Sequence, residues 1–347
     1  MKPLWQNHDR TVWGEPGLFQ GDAPVKLLFP AKKILRVYNP ALNETYQENR
    51  HYTHEPGSNL LFPVPGSGIC GIPADGIFPD PETAKIYPAA GANAVTGGPD
   101  GKLLLFDNSS FFARHQINVD YTAVDGTEFP VFPQLTDGQL PRTRNALAQG
   151  KPLSITLIGD SISEGFNATR FVDCPPYQPP YIDLFAGEVE KRSGCKITVR
   201  NSAIEGTGCR DAFNIKPRWL EPECDLMIIA YGMNDLAGMS PEEYSNEIKK
   251  IMAMKKALHP ETEFILVCSM PRNPMWHIPY DEHSRLFAGA LKNLSSVESA
   301  IANVHQIWCR ILAEKDFYDL TGNGVNHPND YGHRVYSAVL TGLFYRD

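Results

Sequence analysis

Apolar residues in the second half of the chain form short, nearly continuous runs, and segments with helical spacing lie between them. Four runs are rich in aliphatic residues and end at turn-forming or polar residues: 155–158, 196–199, 226–230 and 263–268. Runs this short and this apolar are typical of strands buried on both faces, as in a parallel sheet. The pattern therefore predicts parallel strands connected by helices.

The clearest predicted helix lies between the third and fourth of these runs. Ser240 provides the N-cap, Pro241 stands at the first helical position, and Glu243 completes a capping box. One apolar face follows, made of Tyr244, Ile248, Ile251, Met252 and Leu258. The pair His259-Pro260 is expected to end the helix.

Helix-like stretches at 285–294 and 332–343 continue the alternation of strands and helices. Repeated βα units joined by right-handed crossovers place helices on both faces of a parallel sheet. We therefore expect an α/β domain over residues 150–347.

The first 145 residues have a different pattern. Short β-rich runs recur, separated by Asn-Pro, Pro-Gly and Asp-Gly turn pairs: 25–29, 34–38, 60–62, 103–106 and 117–121. This pattern predicts an all-β sandwich or jelly roll over residues 1–145. Residues 141–151 are interpreted as a polar connector between the two domains.

Length, composition and charge favour an ordinary soluble protein. A chain of 347 residues is long enough for two domains. Its net charge of −8 argues against nucleic acid or an anionic membrane surface as a partner. The N-terminus has no apolar signal core and no segment approaches about 18 apolar residues, so the sequence predicts a cytoplasmic protein without membrane attachment.

The seven cysteines are an odd number and form no Cys-x-x-Cys pair. We therefore expect neither a disulfide framework nor a zinc site, with Cys224 and Cys268 as reduced core residues. Four Asn-x-Ser/Thr triplets match the glycosylation pattern and would be unused in a cytosolic protein; they begin at Asn43, Asn108, Asn167 and Asn293.

The first of the apolar runs leads directly into Gly159-Asp160-Ser161. Side chains at the carboxyl ends of parallel strands face the crevice in which open α/β sheets bind ligands. A serine at this turn is therefore a candidate nucleophile. The alternative hypothesis is an ordinary turn serine that caps the next helix.

Three further blocks favour the nucleophile. Gly206 lies in Asn-Ser-Ala-Ile-Glu-Gly-Thr-Gly after the second run, Asn234 lies in Tyr-Gly-Met-Asn-Asp after the third, and His327 lies in a Gly- and Asn-rich segment before the last helix. In this order and context the four blocks resemble the SGNH hydrolases, the GDSL esterase/lipase family, over about residues 150–347. The resemblance implies a flavodoxin-like three-layer fold and an acyl-serine esterase.

The chemistry of these residue types suits acyl transfer. A serine hydroxyl needs a base such as imidazole, and His327 is the best candidate among ten histidines. The backbone N–H of Gly206, the side-chain amide of Asn234 and the Ser161 N–H are candidate oxyanion donors. The alternative roles are a surface histidine for His327, a turn glycine for Gly206 and a helix cap for Asn234. Neither a metal nor an organic cofactor is expected.

The last block departs from the usual Asp-x-x-His of the family. Gly324 stands three residues before His327, and Asn323 stands four before it. Asp319 and Asp330 are the nearest acids. We therefore leave open a Ser–His dyad held by Asn323 or by a backbone carbonyl in 323–325, or a triad completed by an aspartate.

Two aromatic loops, 174–181 and 273–280, are expected to shape the substrate site, with Tyr177 and Trp276 as candidate platforms for sugar rings. Plain packing is the alternative for both. A β-domain before an SGNH domain resembles carbohydrate acetylesterases, so we expect an enzyme that removes acetyl groups from oligo- or polysaccharides. A lipase or thioesterase for longer acyl chains, and a non-catalytic carbohydrate-binding protein, stay open, as does the oligomeric state.

Overall fold

The structure, a computed structural model, describes residues 3–277 and 283–346. A five-stranded parallel sheet, ordered β12-β11-β13-β14-β15, lies at the centre of the second half. Its strands are β11 (Leu153–Gly159), β12 (Ile197–Asn201), β13 (Leu226–Ala230), β14 (Glu263–Cys268) and β15 (Ser299–Asn303). The four apolar runs thus form four of these strands, and the fifth strand was not predicted.

Helices cover both faces of this sheet, which gives the expected three layers. They are α3 (Ser161–Glu164), α4 (Tyr181–Ser193), α5 (Lys216–Trp219), α6 (Pro241–Leu258), α7 (His283–Lys292), α8 (Val304–Leu312), α9 (Phe317–Leu320) and α10 (Asp330–Gly342). Alternate strand residues enter opposite cores. Ile228 packs in the core that contains α4, α8 and α10, whereas Met227 and Ile229 pack in the core that contains α6.

Helix α6 confirms the predicted capping box. The Ser240 hydroxyl accepts a hydrogen bond from the Glu243 N–H, and the Glu243 carboxylate accepts one from the Ser240 N–H. Tyr244, Ile248 and Ile251 are buried as expected. Leu258, at the end of the predicted apolar face, is 54% exposed because the helix ends there.

The N-terminal region is built from antiparallel strands, as expected. A five-stranded sheet has the order β1-β2-β10-β4-β5, and a three-stranded sheet has the order β3-β7-β6. Their strands are β1 (Trp5–Gln6), β2 (Thr11–Gly17), β3 (Val25–Lys26), β4 (Ala31–Tyr38), β5 (Thr45–Tyr46), β6 (Tyr52–His54), β7 (Leu60–Pro63) and β10 (Ile117–Ala123). A separate pair joins β8 (Ala94–Val95) to β9 (Leu104–Leu105), and the helix α1 (Phe111–His115) precedes β10.

The predicted polar connector is in fact helical at α2 (Pro141–Ala148), which is a correction to the sequence interpretation. The Glu263 carboxylate accepts hydrogen bonds from the Arg142 and Thr143 N–H groups at 3.0 and 2.8 Å. A buried carboxylate from β14 therefore satisfies the first N–H groups of this helix. The pattern within 141–151 contained no sign of a partner more than a hundred residues away.

The N-terminal region and the parallel sheet share one continuous hydrophobic core, which runs from Val12 and Val119 to Leu157 and Val339. Buried charge also crosses the boundary. The Lys315 ammonium lies 3.2 Å from the Glu15 carboxylate of β2 and 3.1 Å from the Asp319 carboxylate. The two parts are therefore packed as one body, and the predicted boundary near residues 145–150 stays a prediction.

Candidate active site

Ser161 stands at the turn between β11 and α3, where the parallel strand ends. The Asp160 carboxylate caps α3 by accepting a hydrogen bond from the Ile162 N–H at 3.1 Å. Burial raises the pKa of Asp160 to about 7. Asp160 is therefore placed to hold the turn, and Ser161, 5% exposed, stands directly after it.

His327 meets Ser161 across the sheet edge. The Ser161 Oγ lies 2.8 Å from the His327 Nε2. The Asn323 side-chain oxygen accepts hydrogen bonds from the Val325, Asn326 and His327 N–H groups and so shapes the loop before α10. This pair has the geometry in which imidazole can remove a proton from a serine hydroxyl.

His327 is buried. The edge of the Phe166 ring packs against it with the ring centroids 5.3 Å apart. Burial, together with nearby His333, lowers the pKa of His327 to about 3. His333 is itself buried in α10, and burial lowers its pKa to about 4. The His327 imidazole is therefore neutral at ordinary pH.

The side chain that holds the far side of the imidazole is Asn167. Its Oδ1 lies 2.8 Å from the His327 Nδ1. Sequence reasoning missed Asn167, which drew attention only as the start of a glycosylation triplet. A better clue was its position six residues after Ser161 in a turn, where asparagine is readily accommodated.

The sequence suggested four candidates for the partner of the His327 Nδ1, and all four are wrong, because each makes other contacts. Asn323 organises the loop backbone, as described above. Asp319 binds Lys315 and the Leu18 N–H. The Asp330 carboxylate accepts hydrogen bonds from the Thr169 N–H and hydroxyl at 2.8 and 2.7 Å. The carbonyls of residues 323, 324 and 325 accept hydrogen bonds from the Asp107 N–H, the Asn273 side-chain amide and the Asn273 N–H, respectively.

Gly206 and Asn234 lie in the loops after β12 and β13, the two strands that flank β11. Gly206 is exposed and has a φ of +70°, a conformation that glycine adopts without strain. The Asn234 amide donates a hydrogen bond to the Thr207 carbonyl at 3.0 Å. The strand order thus places the two loops on either side of Ser161, and this hydrogen bond links them.

Trp276 lies in the segment that follows β14 and is partly exposed. Its indole N–H donates to the Thr96 carbonyl at 3.0 Å, and the Arg272 guanidinium lies 5.5 Å from its ring centroid. Arg272 also donates to the Met233 carbonyl, next to Asn234. Trp276 is therefore fixed close to the loop that carries Asn234.

Tyr177, the other predicted platform, is 49% exposed, and its N–H donates to the Cys174 carbonyl. Among the described residues, no hydrogen bond or ring contact connects Tyr177 with Ser161 or His327. Part of the second aromatic loop, including Tyr280, lies outside the described residues. The role of both loops in binding substrate stays a prediction.

Within residues 3–277 and 283–346, no helix is long and apolar enough to cross a membrane. The same part of the chain contains no cluster of three or more His, Cys, Asp or Glu residues that could hold a metal ion. All seven cysteines are free thiols, and Cys224 and Cys268 are buried.

The sequence matches the model of the GDSL-like lipase/acylhydrolase family over residues 157–335, just over half of the chain. The chain therefore belongs to this family, which confirms the resemblance seen in the four sequence blocks. It is a carboxylic ester hydrolase. No curated protein matches the sequence.

Several solved esterase structures are similar to the chain. A catalytic mutant of an acetylxylan esterase from Geobacillus stearothermophilus is 19% identical, with 57% of this chain and 98% of that chain covered and a TM-score of 0.45. A two-domain esterase active on acetylated mannans, co-crystallized with mannopentaose, is 18% identical, with 62% of this chain and 56% of that chain covered and a TM-score of 0.46.

Proposed function

We propose that the protein is a serine esterase that removes acetyl groups from oligo- or polysaccharides. The observation that carries this proposal is the 2.8 Å contact between the Ser161 Oγ and the His327 Nε2 at the carboxyl edge of the parallel sheet. A neutral imidazole at this distance can accept the hydroxyl proton, because its Nε2 lone pair faces the serine.

The proposed reaction has two halves. The Ser161 oxygen attacks the ester carbonyl carbon while its proton passes to the His327 Nε2. The resulting imidazolium returns that proton to the leaving alcohol as the carbon–oxygen bond breaks. Water then attacks the acyl-serine with His327 again as the base, which releases acetate and restores the serine hydroxyl.

Negative charge develops on the carbonyl oxygen in each half of this reaction. The Ser161 N–H, the Gly206 N–H and the Asn234 amide are the proposed donors. A side-chain amide has two N–H donors, and Asn234 uses one on the Thr207 carbonyl. The other is available to the oxyanion, and the Thr207 contact fixes the direction of the amide before substrate arrives.

The low exposure of the two reacting side chains supports a preference for a short acyl group. Ser161 is 5% exposed and His327 is 6% exposed, so little of either side chain is open to solvent. Trp276 supports a sugar as the alcohol part, because a fixed, partly exposed indole offers a flat apolar face.

Hydrolysis of a series of nitrophenyl esters from acetate to octanoate tests the acyl preference. We expect acetate to have the highest kcat/KM, and release of acetate from acetylated xylo- and manno-oligosaccharides. An extra methylene changes discrimination by only about 1–3 kcal/mol, so slow cleavage of butyrate is compatible with the proposal. Faster turnover of octanoate, or no acetate from either sugar, would identify a lipase-like or thioesterase-like enzyme instead.

Trp276→Ala tests the alcohol side. We expect KM for an acetylated oligosaccharide to rise about three- to tenfold, because an aromatic stacking contact contributes about 0.5–1.5 kcal/mol. Nitrophenyl acetate is the internal control, since it lacks a sugar and its KM should stay unchanged. Equal effects on both substrates would mean that Trp276 supports the fold rather than the sugar.

Asn234→Ala is expected to lower kcat about 10²–10³-fold with little change in KM, because the amide acts on charge that exists mainly in the transition state. Steady-state kinetics on nitrophenyl acetate measures both constants. An increase in KM with kcat unchanged would show that Asn234 binds the ground-state substrate.

The pH dependence of kcat/KM tests the state of His327. A base must be neutral to act, and the pKa of His327 is lowered to about 3, so activity is present above that value and is lost as the pH falls through it. We therefore expect His327 itself to cause no loss of kcat/KM from about pH 8 down to about pH 5 on an uncharged ester. Asp160, whose pKa burial raises to about 7, is a group next to the nucleophile that titrates within this range. Circular dichroism at each pH controls for acid unfolding. An inflection between pH 6 and 7 that persists in Asp160→Asn would contradict the expectation.

A further inference from the structure

We propose that Asn167 is the positioning residue of a Ser–His–Asn arrangement, in which its side-chain oxygen selects the tautomer of His327 that can accept the Ser161 proton. This inference rests on the proposed esterase mechanism. In the family, an aspartate close to the histidine in sequence usually holds this side of the ring. Here an uncharged amide from the loop after the nucleophile takes its place.

The two ring nitrogens require opposite roles. The Nε2 of His327 can accept the Ser161 proton only if the ring hydrogen is on Nδ1. A hydrogen on Nδ1 needs an acceptor, and the Asn167 Oδ1 lies 2.8 Å from it. An amide nitrogen in the same place would face the Nδ1–H with a second donor and favour the wrong tautomer.

The orientation of the Asn167 amide is determined by its other contacts. Its Nδ2 donates to the Gly322 carbonyl at 2.9 Å and to the Ser109 carbonyl at 3.4 Å. Both are acceptors only, so a rotated amide would place its oxygen against two carbonyl oxygens. The backbone therefore directs Oδ1 toward His327, and Asn167 is 4% exposed in this position.

Close backbone packing makes this position possible. Asn167 has a φ of +61°, a left-handed conformation that asparagine tolerates better than most residues. A Cβ at Gly322 would lie 2.3 Å from the Asn167 Cβ, so only glycine allows the two segments to approach this closely. The carbonyl that orients the amide is thus provided by a residue that must lack a side chain.

The N-terminal region explains why residue 324 is not an aspartate. Gly324 has a φ of +92°, and a Cβ there would lie 2.1 Å from the Leu105 carbonyl oxygen of β9. The segment after β9 also provides the Ser109 carbonyl to Asn167. The N-terminal region therefore excludes a side chain at residue 324, where the family usually has aspartate, and helps to orient Asn167, which replaces that aspartate.

A neutral partner has a measurable consequence. Asn167 offers the imidazolium a hydrogen bond but no negative charge, whereas a carboxylate at this distance favours the protonated ring and raises its pKa by about 1–3 units. His333 is the other titratable group that acts on His327, and its own burial keeps it neutral near pH 7. Changing Asn167 to aspartate therefore changes one nearby charge.

The experiment compares Asn167→Asp and Asn167→Leu with the unmodified protein. For Asn167→Asp we expect the acid limb of kcat/KM to move upward by about 1–3 pH units, with activity retained at pH 8. Some loss of thermal stability accompanies this change, because the carboxylate faces two carbonyls. For Asn167→Leu we expect kcat to fall about 10²–10⁴-fold with KM within about threefold, since the tautomer is no longer selected.

Asn303→Asp is the matched control. Asn303 caps α8 at the end of β15 by accepting a hydrogen bond from the Gln306 N–H, a role that aspartate fills equally well. It adds the same charge at the same sheet edge, at the end of β15, which is three strands from β11, and should leave the pH profile unchanged.

Two results would overturn the role of Asn167: an unshifted acid limb in Asn167→Asp, or turnover by folded Asn167→Leu within tenfold of the unmodified protein. Should the leucine variant fail to fold, the aspartate variant decides alone. Labelling by a serine-directed phosphonate shows whether only the role of Asn167 is wrong or whether the proposed esterase mechanism is wrong as well. Loss of labelling in Ser161→Ala confirms the nucleophile, whatever the asparagine variants do.

Discussion

Replacing Ser161 or His327 with alanine is expected to lower kcat for ester hydrolysis by at least about 10⁴-fold while the fold persists. The two side chains make one 2.8 Å contact and act as a unit, so loss of either removes the activated nucleophile. Hydrolysis of nitrophenyl acetate measures the loss, and thermal unfolding monitors the fold.

Ser163→Ala and His305→Gln are the matched controls for these variants. Ser163 lies in the same helical turn as Ser161, but its hydroxyl contacts the Tyr181 hydroxyl at 2.8 Å. His305 is a buried histidine of α8 that faces Ser284 and Cys309. We expect both controls to stay within about tenfold of the unmodified protein. More than about a hundredth of normal turnover in Ser161→Ala or His327→Ala would contradict the assignment.

Lys315→Met is expected to lower the free energy of unfolding by about 3–5 kcal/mol. The Lys315 ammonium is fully buried between the Glu15 and Asp319 carboxylates and donates to the Lys26 carbonyl at 2.7 Å. Its removal leaves two carboxylates in a dry environment without a cation. Because Glu15 belongs to β2, the loss should loosen the N-terminal region from the parallel sheet.

Denaturant unfolding measures this change, and Lys26→Met is the matched control. The Lys26 side chain is 43% exposed and pairs with Glu314, which is 46% exposed, at 2.6 Å. Solvent-exposed pairs contribute only about 0–1 kcal/mol, so the control should lose no more than that. A Lys315→Met variant as stable as the control would show that the buried cluster does not hold the two parts together.

Local pattern was sufficient for much of the α/β fold. The predicted strands at 155–158 and 263–268 lie within β11 and β14, and the capping box of Ser240 and Glu243 starts α6 where expected. These features depend on residues close together in sequence. The fifth strand, β15, was missed because Ser299–Asn303 contains alanine, serine and asparagine, and its strand character comes from pairing with β14.

Contacts distant in sequence account for the remaining errors. Residues 141–148 were interpreted as a connector, but the Glu263 carboxylate caps them as a helix. The partner of His327 was also missed, because Asn167 is 160 positions away along the chain and the residues near 327 give no sign of it. Spacing along the chain cannot reveal such pairs, because only the folded loops bring them together.

The sequence by itself determined the family and the apolar runs that form four of the parallel strands. It also determined the four blocks that contain Ser161, Gly206, Asn234 and His327. Each of these depends on short-range pattern, in which strand, turn and cap chemistry are local. The tertiary structure alone decided that Asn167 faces the His327 ring and that the Leu105 carbonyl leaves no room for a side chain at Gly324. Both depend on the close packing of segments from different parts of the chain, where tenths of an ångström decide which side chain fits.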